Sequence, residues 1–118
     1  MQKLFEVIYE DEDLLVVNKP AGLVCHPTKG DEYSSLISRL RLHVGGASVH
    51  LVNRLDRETS GVTLAAKNPE SAGALGKIWE SRAVEKEYVA IVQGHPRDNQ
   101  GIIEAALGKD EHSLVAVK

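Results

Sequence analysis

The sequence has a single cysteine, few aromatic residues and no long apolar run. One cysteine, Cys25, excludes an internal disulfide bond and a zinc site built from several cysteines. No apolar stretch approaches the roughly 18 residues that a membrane-spanning helix needs. The N-terminal segment carries acids where a secretory signal would carry a basic segment followed by an apolar one. We therefore expect a cytoplasmic protein with no membrane partner.

A basic excess is also lacking, since the formal net charge is −3. This balance argues against a protein that holds nucleic acid by bulk electrostatics. The charge is nevertheless uneven along the chain, because acids crowd the start and basic residues lie in the middle. A local basic face can therefore coexist with an acidic total. The basic residues are Arg39, Arg41, Arg54, Arg57 and Lys67.

The 118 residues, of which 42% are hydrophobic, have the composition and size of one globular domain, residues 1–118. Hydrophobic periodicity and turn residues predict strands, and two helices between them. The order predicts an α+β fold with a mixed, mainly antiparallel sheet and two flanking helices. The predicted strands are residues 4–10, 14–17, 49–55, 62–66, 87–92, 102–105 and 114–117, and the predicted helices are 34–44 and 68–82.

Three of these predictions carry structural detail. The first two strands are expected to form a hairpin through residues 11–13, and the apolar run 14–17 is expected to be buried on both faces. The second helix has Asn68 as its cap and proline at its first position. Its apolar stripe is expected to be buried, and it comprises Ala72, Leu75, Ile78 and Trp79.

The chain stops at Lys118, directly after an apolar segment that is typical of a strand. Natural C-termini are usually looser. We therefore expect the domain to be truncated at this end.

The polar segment 53–61 lies between two predicted apolar strands and is poorly explained by packing. If it is extended, Arg54 and Asp56 share one face and Leu55 lies on the other. A carboxylate beside guanidinium groups stays ionised and can act as a nucleophile or base. From the residues alone, an Asx-type turn with solvated arginines is the favoured explanation, because turn residues greatly outnumber catalytic ones.

Residues 54–61, RLDRETSG, resemble the R-L-D-x-x-T-S-G catalytic motif of the Rlu-type pseudouridine synthases. These enzymes isomerise selected uridines in ribosomal or transfer RNA. Three further blocks resemble family segments in the expected order. They are residues 16–23 (V-x-N-K-P-x-G-L), residues 61–68 after the motif, and residues 85–94 (K-x-Y-x-A).

The resemblance implies roles for individual residues. Asp56 falls on the catalytic aspartate, Tyr88 on the tyrosine that packs against the target base, and Arg54 on the arginine that fills the space left by the extruded uridine. Arg57 is assigned to RNA binding. The isomerisation needs no redox cofactor and no metal, so none is expected. Whether Asp56 attacks C1′ or removes a sugar proton stays open.

Two departures from the family pattern qualify the resemblance. The family usually has histidine before the motif arginine, where this chain has Asn53, and we expect this to tune the loop because asparagine also donates and accepts hydrogen bonds. The family's later basic partner of the aspartate and its G-R-x-H-Q-x-R-like segment have no counterpart. The chain therefore corresponds to the first half of the family's catalytic domain.

Two alternatives remain open. The chain could be a catalytically inactive RNA-binding or assembly module, or a fragment that lacks the rest of the active site and self-associates through an exposed sheet edge. The other singled-out residues receive structural interpretations. Cys25 is expected to be a small core or loop residue and Trp79 a core residue. The histidines lack metal-ligand spacing and are expected on the surface or in loops; they are His26, His43, His50, His95 and His112.

Overall fold

A computed structural model describes residues 5–27, 35–45 and 48–105, together with the backbone of 108–109 and 116–117. The chain divides into two compact units between Lys86 and Glu87. The first unit contains β1 (Glu6–Glu10), β2 (Leu14–Lys19), α1 (Leu36–His43), β3 (His50–Leu51), β4 (Gly61–Ala66) and α2 (Pro69–Glu80). The second contains β5 (Gly108–Lys109) and β6 (Ala116–Val117), which pair antiparallel.

The sheet of the first unit has the strand order β1-β2-β4-β3, and every neighbouring pair is antiparallel. The predicted hairpin is confirmed. Its turn is closed by the Asp11 carboxylate, which accepts the backbone N–H groups of Asp13 at 2.8 Å and Leu14 at 2.7 Å. With two helices beside this antiparallel sheet, the predicted α+β class is confirmed.

One face of the sheet is buried. Along β2 the alternate residues Leu15, Val17 and Lys19 are all 0% exposed, whereas Asn18 is exposed. The prediction that this strand is buried on both faces is therefore wrong, because the period of two sends alternate side chains to a face that is only partly covered. The core on the covered face also contains Leu36, Ile37 and Leu40 of α1, and Val49 and Ala65.

Both predicted helices are confirmed, with ends set by local signals. The Ser35 hydroxyl accepts the N–H of Ser38 at the start of α1, and Gly45 follows its C-cap with φ +80°. At the start of α2 the Asn68 side chain accepts the N–H of Ser71 at 2.8 Å. Residue 34, the predicted start of the first helix, lies outside the described residues.

The predicted burial of the α2 stripe is wrong. None of the α2 residues is buried, and Ile78 is 46% exposed, although the helix lies against β4 and β3. The helix has an apolar stripe, but the described residues that pack on it leave that stripe half-covered. Trp79 is accordingly half-buried and is not a core residue.

The predicted strand 49–55 is shorter than expected, because only His50 and Leu51 pair with β4. The predicted strands 87–92 and 102–105 are wrong, since the described residues 87–105 contain no helix or strand. These segments have strand-like sequences but pair with no strand among the described residues, and a strand requires such a neighbour. At the chain end Ala116–Val117 is a strand, and residues 114–115 lie outside the described part, as does residue 4 of the first predicted strand.

Candidate active site

The motif loop, residues 54–60, connects β3 to β4 and has no regular secondary structure. Its backbone makes one internal turn, in which the Thr59 N–H donates to the Asp56 carbonyl at 3.0 Å. A turn is therefore present at Asp56, as the alternative interpretation of this segment expected. It is closed by the Asp56 backbone carbonyl and not by the side chain, so it is not an Asx-type turn. Among the described residues, no group forms a hydrogen bond or ion pair with the Asp56 carboxylate.

The first three side chains of the motif loop alternate in exposure. Arg54 and Asp56 are exposed, whereas Leu55 between them is half-buried. This agrees with the expectation that the arginine and the aspartate share a face. Arg57 is exposed as well. The loop thus exposes the Asp56 carboxylate between two guanidinium groups in the sequence, and the carboxylate of Glu58 is exposed next to Arg57.

The buried side chain of Lys19 binds the backbone of the motif loop. This lysine is 0% exposed, and its ammonium donates to the carbonyls of Pro20 at 2.9 Å, Leu23 at 2.6 Å and Arg57 at 3.2 Å. An ammonium has three donors, so the three carbonyls match its capacity. A buried charge is tolerated only with such partners. Lys19 therefore joins the turn after β2 to the backbone of the motif loop.

The Arg57 carbonyl accepts a second hydrogen bond, from the Gly22 N–H at 2.7 Å. Gly22 has φ +89°, a left-handed conformation that glycine adopts without steric cost. The glycine thus lets the turn after β2 place its N–H against the motif loop. Two donors, one from the last residue of β2 and one from the turn after it, consequently fix the position of this single carbonyl.

Cys25 holds the loop one residue before the aspartate. Its sulfur lies 3.4 Å from both the N–H and the carbonyl oxygen of Leu55, accepting from the first and donating to the second. The side chain is 5% exposed, so the interpretation of Cys25 as a small core residue is confirmed. The contact also has a positioning effect, because Leu55 precedes Asp56.

Asn53 lies between the end of β3 at Leu51 and the motif loop. Its side-chain amide donates to the Val62 carbonyl at 3.3 Å and accepts the Leu64 N–H at 2.8 Å. The amide thus replaces the backbone groups that a longer β3 would offer to β4. This explains why the predicted strand stops early, and it shows the asparagine donating and accepting as expected. Tuning of the loop by Asn53 stays a prediction.

Electrostatics around the loop act on two groups. Burial lowers the pKa of Lys19, and the nearby Cys25, Glu58 and Asp56 act in the opposite direction. Partial burial lowers the pKa of His26, and the guanidinium groups of Arg54 and Arg41 lower it further.

Tyr88, the predicted stacking residue, belongs to the second unit and is 61% exposed. The structure brings Arg54, Asp56 and Arg57 together in one loop, and the role of Tyr88 stays a prediction. Sequence reasoning missed Lys19 and Cys25 as loop-holding residues. Lys19 could have been recognised as inward-facing because it continues the period of two through Leu15 and Val17. For Cys25 no pattern gave a comparable signal.

The described part of the chain contains neither a cluster of metal ligands nor a membrane-spanning helix. Within it, no group of three or more His, Cys, Asp or Glu side chains is placed to hold a metal ion. Across the same residues, no helix combines the length and apolar character needed to cross a bilayer.

Comparison with known proteins identifies relatives across almost the whole chain. The sequence profile of a family described as RNA pseudouridylate synthase matches residues 13–118. An uncharacterized RNA pseudouridine synthase of Mycoplasma pneumoniae is 44% identical over 114 residues, which cover 96% of this chain and 37% of that protein. Ribosomal large subunit pseudouridine synthase D of Zymomonas mobilis is 38% identical over 88% of this chain and 35% of its own length.

A solved structure shares the fold. The human protein RNA pseudouridylate synthase domain containing 1 superposes with a TM-score of 0.75 and 26% identity, over 93% of this chain and 41% of that one. The family resemblance carried by the motifs is thus confirmed. The chain spans little more than a third of the length of the two bacterial relatives, at 37% and 35%.

Proposed function

The chain belongs to the RNA pseudouridylate synthase family. We propose that it catalyses the isomerisation of uridine to pseudouridine in ribosomal or transfer RNA, with Asp56 as the essential carboxylate. One observation carries the assignment of Asp56. The backbone of the motif loop is fixed by Lys19, Gly22 and Cys25, while the Asp56 side chain is exposed. A rigid backbone with an accessible carboxylate is what preorganised catalysis requires.

The reaction is an intramolecular rearrangement. The bond between N1 of uracil and C1′ of the ribose breaks, the base turns, and C5 bonds to C1′ while the C5 proton moves to solvent and N1 takes one up. No electron is gained or lost, so the chemistry requires no redox partner. Asp56 either attacks C1′ or removes a sugar proton, and both roles require an ionised carboxylate that reaches the ribose.

The target nucleotide must leave its helix first, since a stacked base hides the glycosidic bond. Extrusion costs a few kcal/mol. Arg54, exposed two residues before Asp56, fills the vacated space with a planar and permanently charged group. Tyr88 stacks on the extruded base, a contact that is typically worth about 1–3 kcal/mol. Arg57 binds the RNA beside the aspartate.

The test is to incubate the protein with unmodified ribosomal and transfer RNA transcripts and to map pseudouridine by nucleotide. The variant Asp56→Asn keeps the size of the side chain and removes its charge. We expect it to lower the rate about a hundredfold or more. Asp98→Asn is the matched control, because Asp98 is an exposed aspartate of the second unit, and it should retain the wild-type rate.

Pseudouridine formation that survives Asp56→Asn would remove the aspartate from its role. A second candidate function, an RNA-binding module without turnover, is favoured by the finding that the chain spans only 37% of the Mycoplasma relative. Tight RNA binding with no pseudouridine after long incubation would support that module and argue against turnover by this chain.

A further inference from the structure

Three basic side chains from three separate parts of the chain converge beside the motif loop. His26 lies in the segment between β2 and α1, Arg41 lies in the last turn of α1, and Arg54 begins the motif loop. All three are exposed. Only Arg54 has a part in the proposed isomerisation, so the other two residues are unexplained.

His26 and Arg54 flank a single contact. The Cys25 sulfur lies 3.4 Å from the N–H and from the carbonyl oxygen of Leu55. His26 directly follows Cys25, and Arg54 directly precedes Leu55. The side chains of His26 and Arg54 therefore extend from residues next to the same buried contact, that between Cys25 and Leu55.

Arg41 is brought to the same place by the docking of α1. The Ile37 N–H donates to the Cys25 carbonyl at 3.0 Å, and the Leu36 N–H donates to the Val24 carbonyl at 2.8 Å. Arg41 is four residues after Ile37 and so lies one turn further along the same face of the helix. This docking keeps the Arg41 guanidinium close enough to act electrostatically on the His26 imidazole.

The electrostatics agree with this placement. The guanidinium groups of Arg54 and Arg41 each lower the pKa of His26, after the effect of burial. Both cations thus act on one imidazole. Cationic groups that repel one another in the free protein are a favourable setting for an anion, because the anion converts each repulsion into an attraction.

We propose that His26, Arg41 and Arg54 form a binding site for a phosphate of the RNA backbone, next to the nucleotide on which Asp56 acts. Each guanidinium group can bind phosphate through two parallel hydrogen bonds, and the imidazole adds a further donor. Because Arg54 lies two residues before Asp56 and the proposed substrate is RNA, the anion expected at this site is a phosphodiester. Such contacts set the register of the RNA and carry no sequence information. The inference rests on the proposed function in RNA.

The test measures binding of a transfer RNA transcript to the full chain at several salt concentrations. Arg41→Gln should weaken binding about three- to tenfold and reduce the slope of log K against log salt by about 1. Arg39→Gln is the matched control, because it removes the same charge from the same helix but from a different face. It should leave affinity and slope close to wild type.

A second arm uses pH. A bound phosphate favours the protonated imidazole, so wild-type affinity should rise as the pH falls from about 8 to about 5.5. His26→Gln should flatten that rise while circular dichroism shows an unchanged fold. Equal pH profiles for the two proteins would exclude His26 from the site.

The outcomes separate this site from the proposed function. If the protein does not bind the RNA at all, both the phosphate site and the proposed function are wrong. If it is bound but Arg41→Gln matches wild type, or Arg39→Gln weakens binding as much as Arg41→Gln does, the phosphate site is wrong while the proposed function stands.

Discussion

Two apolar segments of similar sequence differ in structure and burial in this molecule. In the first unit, residues 14–17 (LLVV) pair with β1 on one side and β4 on the other, and Leu15 and Val17 are 0% exposed. In the second unit, residues 89–92 (VAIV) belong to no strand, and Val89 and Ile91 are 98% and 102% exposed. An apolar run therefore becomes a buried strand only where neighbouring strands supply hydrogen bonds and a helix supplies cover.

The difference matters for function because the described contacts that hold the motif loop come from the first unit. Lys19, Gly22 and Cys25 bind its backbone, and Asn53 fixes its start against β4. The presentation of Asp56 thus depends on the segment whose apolar residues are buried. Four tests sharpen or break this contrast.

The largest effect is expected in the core. Leu40→Ala removes a 0% exposed side chain of α1 and should lower the free energy of unfolding by about 2–5 kcal/mol. Ile91→Ala removes a fully exposed side chain and should change it by less than about 0.5 kcal/mol. Urea unfolding followed by circular dichroism measures both variants. Similar losses in both would contradict the contrast between the two units.

A smaller effect is expected at the lysine beneath the motif loop. Lys19→Met keeps most of the apolar stem but leaves the carbonyls of Pro20, Leu23 and Arg57 without that donor. Unsatisfied buried groups predict a loss of about 1–3 kcal/mol in the same unfolding experiment. Lys77→Met, at an exposed position of α2, is the control and should be close to neutral. Equal stability of the two variants would show that Lys19 does not hold the loop.

The smallest effect is expected at a surface ion pair of the sheet edge. Glu10 bonds His43 and Lys67, and these hydrogen bonds lower the pKa of its carboxylate. A lowered folded-state pKa stabilises the protein above the unfolded pKa, and this contribution is lost as the pH falls through the folded value. Glu10→Gln should therefore cost about 0.5 kcal/mol at pH 7 and almost nothing at about pH 3.

The control for Glu10 is Glu85→Gln, at an exposed position. It should show no such difference between the two pH values. A loss for Glu10→Gln that is the same at both pH values would mean that packing, not charge, explains the effect.

Local signals account for what sequence reasoning predicted well. Asn68 bonds an N–H three residues ahead, as a cap does, and the apolar period of the first helix buries Leu36, Ile37 and Leu40, so both helices could be located without knowledge of the rest of the fold. The turn at Asp11 is equally local. The motif around Asp56 was located by its resemblance to a family.

Long-range contacts account for what was missed. The bond from Lys19 to the Arg57 carbonyl joins residues 38 positions apart, and the bonds from Cys25 to Leu55 join residues 30 apart. No local pattern encodes such pairs. The early end of β3 has the same origin, because the Asn53 side chain replaces the backbone only where β4 is already in place.

The central claim is that the first unit holds the backbone of the motif loop in place and leaves Asp56 free to react. Residue-resolved amide hydrogen exchange on the whole chain tests it most directly. The account predicts that the amides of Gly22, Leu55 and Leu64 exchange at least about a hundredfold more slowly than those of Val89 and Ile91. If Gly22 and Leu55 exchange as fast as Val89 and Ile91, the loop is not held and the claim is wrong.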